Sequence, residues 1–85
     1  MGEGKTAIVD GGWNYWIVYI SASDLKLAIT IGITISNIFV KSKIIKIILA
    51  VLKISADNIT NGIWFHLNKF VGIPIGPTEP VCGEQ

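Results

Sequence analysis

The sequence predicts an α+β fold in which a small β-hairpin, extended to a three-stranded sheet by a later segment, packs on an antiparallel helical hairpin in the order β-β-α-α-β. Three observations lead there. β-rich runs flank Asp10-Gly11-Gly12, a Ser/Asp cluster opens a polar stripe in the middle of the chain, and an aromatic run follows Asn61-Gly62. One domain over 1–85 is expected, because chains this short bury too little surface to divide further.

Residues 6–20 read as the β-hairpin, with strands at 6–9 and 13–20, since aspartate-glycine suits the positive backbone angles of a primed turn. In the second strand Trp13, Tyr15, Ile17 and Tyr19 alternate with Trp16, Val18 and Ile20, so both faces need cover. The cluster Ser21-Ala22-Ser23-Asp24 then supplies caps and a first-turn acid for a helix.

The helical hairpin is placed at 24–57. Its first arm has two periodicities. Leu25, Leu27, Ile29, Ile31, Ile33 and Ile35 alternate with smaller or polar residues as in a strand, whereas Lys26, Thr30, Thr34, Asn37 and Lys41 make one stripe on a helix. The caps and the stripe's continuation to Lys41 favour helix, with strand as the alternative for 25–36. The second arm, 42–57, is expected to be capped by Ser42. Lys43, Lys46, Ala50, Lys53 and Asp57 form its narrow polar stripe among isoleucine, leucine and valine, and Lys41-Ser42-Lys43 fits a tight turn between the two helices. A last strand is expected at 63–71. Beyond it the spacing of Pro74, Pro77 and Pro80 predicts an extended tail over 72–85.

Charge says more than composition. Apolar residues make up 51% and charged residues 15%, so the chain holds more apolar side chain than a domain this small easily hides. Residues 25–56 carry five lysines and no acid, while the flanking segments are each acidic by two charges, giving the net +1. A cationic, isoleucine-rich middle suits an anionic membrane surface. Nucleic acid is not expected as a partner, because the chain has no arginine and little net charge. The longest uncharged run, 27–40, has 14 residues, short of the ~18 of a single-span helix. The first dozen residues contain two acids and no apolar stretch, so a leader is expected to have been removed or never present.

No enzyme, cofactor or metal site is expected. His66 is the only histidine and reads as a structural residue, and the six acids lie in termini, turns or caps without a shared face. Cys82 has no partner for an internal disulfide and no neighbouring cation to activate it. Gly2-Glu3-Gly4-Lys5-Thr6 resembles the end of a phosphate-binding loop but lacks the upstream glycine and strand, so a flexible terminus is the plain reading. Asn58-Ile59-Thr60 matches a glycosylation acceptor, a pattern common by chance. Trp13, Tyr15, Trp16, Tyr19 and Trp64 suit a core, an oligomer interface or a lipid headgroup layer.

The order of pieces resembles a loose group of small bacteriocin-like peptides of Gram-positive bacteria. The likeness is carried by WNYWIVYIS leading into SASDL, two apolar helices with lysines at their junction, then TNGIWFHLNKF and GIPIGP. It implies a secreted, membrane-active antibacterial peptide whose helical hairpin inserts and permeabilises. With the charge pattern it makes Lys41, Lys43, Lys46, Lys53, Trp13, Trp16 and Trp64 the expected membrane-binding residues, and an anionic lipid membrane the expected partner. The competing expectation is a soluble module that hides its apolar surface by homo-oligomerising.

Overall fold

The structure, a computed structural model, describes residues 4–74 and 80–85. It is α+β. Strands β1 (Ala7–Asp10), β2 (Tyr15–Ser21), β5 (Gly62–Asn68) and β6 (Cys82–Glu84) form an antiparallel sheet in the order β1-β2-β5-β6. Between β2 and β5 come α1 (Ala22–Ile31), a small hairpin of β3 (Ile33–Ile35) and β4 (Ile38–Val40), α2 (Ser42–Leu52) and a 3-10 turn, Ala56–Asn58. Helices α1 and α2 touch each other and cover one face of the sheet.

Register makes this sheet two-faced. Opposing pairs Val18/Phe65 and Ile20/Ile63 point into the core, where all four are fully buried. There they meet Leu25 and Ala28 from α1, Ile35 and Val40 from the hairpin, and Ile44, Ile45, Ile48 and Leu49 from α2. Fully burying one such side chain contributes about 1.5–3 kcal/mol, so these positions carry the fold. The other face, with Tyr15, Ile17, Tyr19, Trp64 and His66, is half-buried and lies outside this cluster.

Several expected boundaries change. The first helix ends at Ile31 instead of reaching Lys41. Gly32 sits at φ 84, and a Cβ there would strike the Phe39 ring and the Val40 carbonyl oxygen. Ser36 and Asn37 follow at φ 49 and 67, both left-handed, which closes a two-residue turn between β3 and β4. Each periodicity is therefore right for part of the segment: the stripe holds within 22–31 but not on to Lys41, and the alternation read over 25–36 holds as strand only at 33–35.

Ser21, not Ser23 or Asp24, caps α1, accepting from the Asp24 N–H at 3.3 Å. Lys41 precedes α2 in the cap position, its carbonyl taking the Ile44 and Ile45 N–H groups, while Ser42 is already helical and makes no side-chain cap. Helix α2 stops at Leu52, five residues before the expected end. Ile54 N–H donates to the Leu49 carbonyl and Lys53 N–H to that of Ala50, with Lys53 itself left-handed at φ 59, the paired bonds of a Schellman motif.

The β1–β2 connection is a four-residue loop, not the expected primed turn. Gly12 N–H donates to Asp10 Oδ1 at 3.1 Å, and Gly11 has no side chain because the Tyr15 ring occupies that space. Strand β5 ends at Asn68, before the expected Val71: Asn68 Oδ1 accepts from the Phe70 and Val71 N–H groups at 2.8 and 3.0 Å and turns the chain. The tail is not merely extended. It returns as β6, a fourth strand, and Pro74 makes a bridge to Leu67, while 75–79 of the expected tail lie outside the described residues.

Candidate membrane-contacting surface

Helical spacing decides which lysines face outward. In α1 the core takes Leu25 and Ala28, leaving Ser23, Lys26, Leu27, Thr30 and Ile31 exposed. In α2 it takes Ile44, Ile45, Ile48 and Leu49, leaving Lys43, Lys46, Ile47 and Ala50 exposed. Lys41 and Lys53, at the two ends of α2, are exposed as well. The outer surface of the helix layer therefore carries five lysines interleaved with Leu27, Ile31 and Ile47, and Phe39 of β4 is also exposed.

None of these five ammonium groups has a carboxylate partner among the described residues. The one ion pair there joins Lys69 Nζ to Asp10 Oδ1 at 2.8 Å, on another part of the molecule. The first-turn acid of α1 is turned inward, Asp24 Oδ2 accepting from the Thr6 hydroxyl. An unneutralised cationic surface studded with aliphatic side chains attracts anions by charge and holds amphiphiles by contact.

The three tryptophans do not join this surface or one another. Trp16 is half-buried opposite Leu67 on the core side of β2, with Lys69 Nζ 6.0 Å from its ring centroid. Trp64 lies on the open sheet face opposite Tyr19, covering Gly83, where a Cβ would come within 2.7 Å of the indole nitrogen. Trp13 stands in the β1–β2 loop and is 81% exposed.

Trp13 has company that the sequence reading missed. Because Tyr15 pairs with Asn68, the β1–β2 loop and the turn after β5 occupy one end of the sheet. Phe70, 70% exposed, sits there with its ring centroid 6.1 Å from that of Trp13, beside exposed Val71 and Ile73. The turn is wired: Lys69 N–H donates to the Asn14 carbonyl at 2.9 Å, Asn68 N–H to that of Ile73 at 2.8 Å, and Gly72 N–H to that of Asn68 at 3.1 Å. Hydrogen bonds and an ion pair thus hold a tip whose large side chains face water. Asn68 and Gly72 bracketing Lys69-Phe70-Val71 were the available signal.

Comparison with known proteins gives no match among family models, curated proteins or solved structures.

On the open sheet face the Tyr15 and His66 rings stack at 4.6 Å, and Trp64 lies tilted 5.7 Å from His66. Partial burial there pushes the His66 pKa below its usual value, so the ring favours its neutral form. At the tip, the hydrogen bond from Lys69 and then that from the Gly12 amide lower the Asp10 pKa. Cys82 lies on the core side of β6 opposite Phe65, packed against the core.

Proposed function

We propose that this protein is a secreted, bacteriocin-like membrane-active protein that adsorbs to anionic membranes through the outer surface of its helix layer. The observation that carries the reading is that surface: Lys26, Lys41, Lys43, Lys46 and Lys53, unpaired with carboxylates among the described residues, around exposed Leu27, Ile31 and Ile47. The Trp13/Phe70 tip supports it as an apolar anchor of the kind that settles at the headgroup level.

Adsorption and permeabilisation are separate steps in this proposal. Helices of 10 and 11 residues measure about 15–17 Å, half of a ~30 Å hydrocarbon core. No helix among the described residues is long and apolar enough to cross a membrane. Permeabilisation therefore requires the helix layer to leave the sheet, so that Ile44, Ile45, Ile48 and Leu49 exchange protein contacts for lipid. Adsorbed charge and apolar contact lower the cost of that opening.

Sedimentation with vesicles tests adsorption, and dye release tests opening. Each lysine at an anionic surface contributes roughly 1 kcal/mol, so changing Lys43, Lys46 and Lys53 together to glutamine should weaken binding by about two orders of magnitude. Binding to neutral vesicles should barely change. Equal binding of parent and triple variant to anionic vesicles would sink the reading. One observation favours a second reading, homo-oligomerisation: the half-buried aromatic sheet face is uncovered by any described element. Light scattering in dilute solution distinguishes it, giving a multiple of the 9.2 kDa chain mass.

A further inference from the structure

Between α1 and the C-terminal half of α2 runs an open groove of about 530 Å³. Its apolar lining is Ile29, Leu49, Ala50, Ile54 and Ala56, and its polar lining is Lys46, Lys53 and Ser55, with no acid among the described residues. The volume is within the ~300–1,000 Å³ of small-ligand sites, enough to seat one acyl chain along the groove. Two cations beside an apolar channel suit a molecule that is anionic at one end and aliphatic over its length.

The helix terminus is arranged to permit an anion. A helix C-terminus carries partial negative charge that repels one. Here the Leu49 and Ala50 carbonyls are already engaged by the Ile54 and Lys53 N–H groups, and Lys53, left-handed at φ 59, is itself a groove residue. The same turn brings Leu49 and Ile54, both groove residues, to the two ends of one hydrogen bond.

We propose that this groove binds a single-chain anionic lipid, a long-chain fatty carboxylate, with its carboxylate between Lys46 and Lys53 and its chain along Ile29, Leu49, Ile54 and Ala56. The inference deepens the membrane reading and rests on it for the supply of ligand: the lysine surface brings the protein to a bilayer, and the groove accepts one chain from it.

Dodecanoate below its micelle concentration is the probe, titrated into the full chain and followed by amide chemical shifts. Saturable one-to-one shifts at Leu49, Ala50, Ile54 and Ala56 are expected. Ala50→Trp, a charge-neutral change at an exposed position, should fill the groove and weaken dodecanoate binding at least tenfold. Lys46→Gln with Lys53→Gln should weaken dodecanoate similarly but leave the uncharged dodecanol unaffected. Absence of shifts at these residues, or an Ala50→Trp variant that binds dodecanoate as the parent does, overturns the groove assignment even where vesicles still bind. Dodecanoate binding without vesicle adsorption would instead overturn the membrane reading and leave the groove standing.

Discussion

Gln85 clasps Lys5 at both ends of one amide: the Lys5 N–H donates to Gln85 Oε1 at 3.0 Å, and Gln85 Nε2 donates back to the Lys5 carbonyl at 2.9 Å. The same Nε2 reaches the carbonyls of Ile20 and Ile63 at 3.1 and 3.0 Å. Gln85 follows edge strand β6 and Lys5 precedes edge strand β1, so one side chain crosses the end of the whole sheet. Gln85→Ala should cost about 1–2 kcal/mol in urea unfolding, the range for leaving several partly buried groups without their partner. Gln85→Glu should cost more, because a carboxylate would face three carbonyl oxygens. A Gln85→Glu protein as stable as the parent would remove the clasp from the account.

That clasp was invisible in the sequence, and the reason separates what was legible from what was not. Strands β2 and β5 were readable from their β-rich alternating runs beside turn residues, but the expectation that both faces need cover was not met: only the face of Val18, Ile20, Ile63 and Phe65 enters the core. The lysine surface was readable because charge is local and helical spacing sorts it, as at Lys43 and Lys46. Gln85 carries no local signal, since its partners lie in other strands. The turn at Ser36-Asn37 was missed because neither residue is glycine. The tip was missed because Phe70 and Val71 look like strand until Asn68 is seen to turn the chain by its own side chain.

Residues 33–40 give a test in which helix and hairpin respond oppositely. Asn-Gly is the preferred pair for a two-residue turn with both φ values positive, so Ser36→Asn with Asn37→Gly should raise stability by roughly 0.5–1 kcal/mol. In a helix running on to Lys41 the same glycine would lower it by a similar amount. Gly32→Ala should be destabilising, because its φ of 84 disfavours a side chain and Phe39 and Val40 fill the space. Thermal melts followed by circular dichroism decide between the two outcomes.

Neighbouring isoleucines in α2 should behave unlike each other. Ile45 is fully buried and Ile47 is 41% exposed. Ile45→Ala should cost about 2–5 kcal/mol, the cost of an unfilled core site, whereas Ile47→Ala should stay within about 0.5 kcal/mol. Ile47→Ala should nevertheless weaken vesicle binding. Denaturant midpoints and vesicle sedimentation on the same two variants separate packing from adsorption.

Acid should destabilise the protein in two separate windows, one set by His66 on the open sheet face and one by Asp10 at the tip. Burial lowers the folded-state pKa of His66, so the unfolded chain takes up the proton more readily. Its stability contribution is present above the ordinary histidine pKa of about 6.5 and is lost as pH falls through the lowered folded value. Asp10, also lowered, contributes above its usual carboxylate range and loses that contribution at still lower pH. Melting temperature should therefore decline from pH 7 to pH 5, and His66→Gln should flatten that limb alone. An unchanged slope in His66→Gln would assign the decline elsewhere.

The lysine surface and the apolar tip predict different salt dependences, which tells the two contributions apart. Electrostatic adsorption weakens as ionic strength rises, because the screening length falls from about 10 Å at 0.1 M to about 3 Å at 1 M. Contact between Trp13, Phe70 and the headgroup layer has no such dependence. Both aromatic side chains are mostly exposed, so Trp13→Ala with Phe70→Ala should leave folding stability nearly unchanged. The double variant should lose a constant factor in vesicle affinity at every salt concentration, keeping the parent's slope. The Lys43, Lys46 and Lys53 triple variant should instead lose slope, its affinity meeting the parent's near 1 M salt. Should the aromatic variant change the slope and the lysine variant only the intercept, the division of labour between tip and helix layer is reversed. If neither variant changes affinity at any salt concentration, the bilayer is met by another face, and the open aromatic side of the sheet is the next to test.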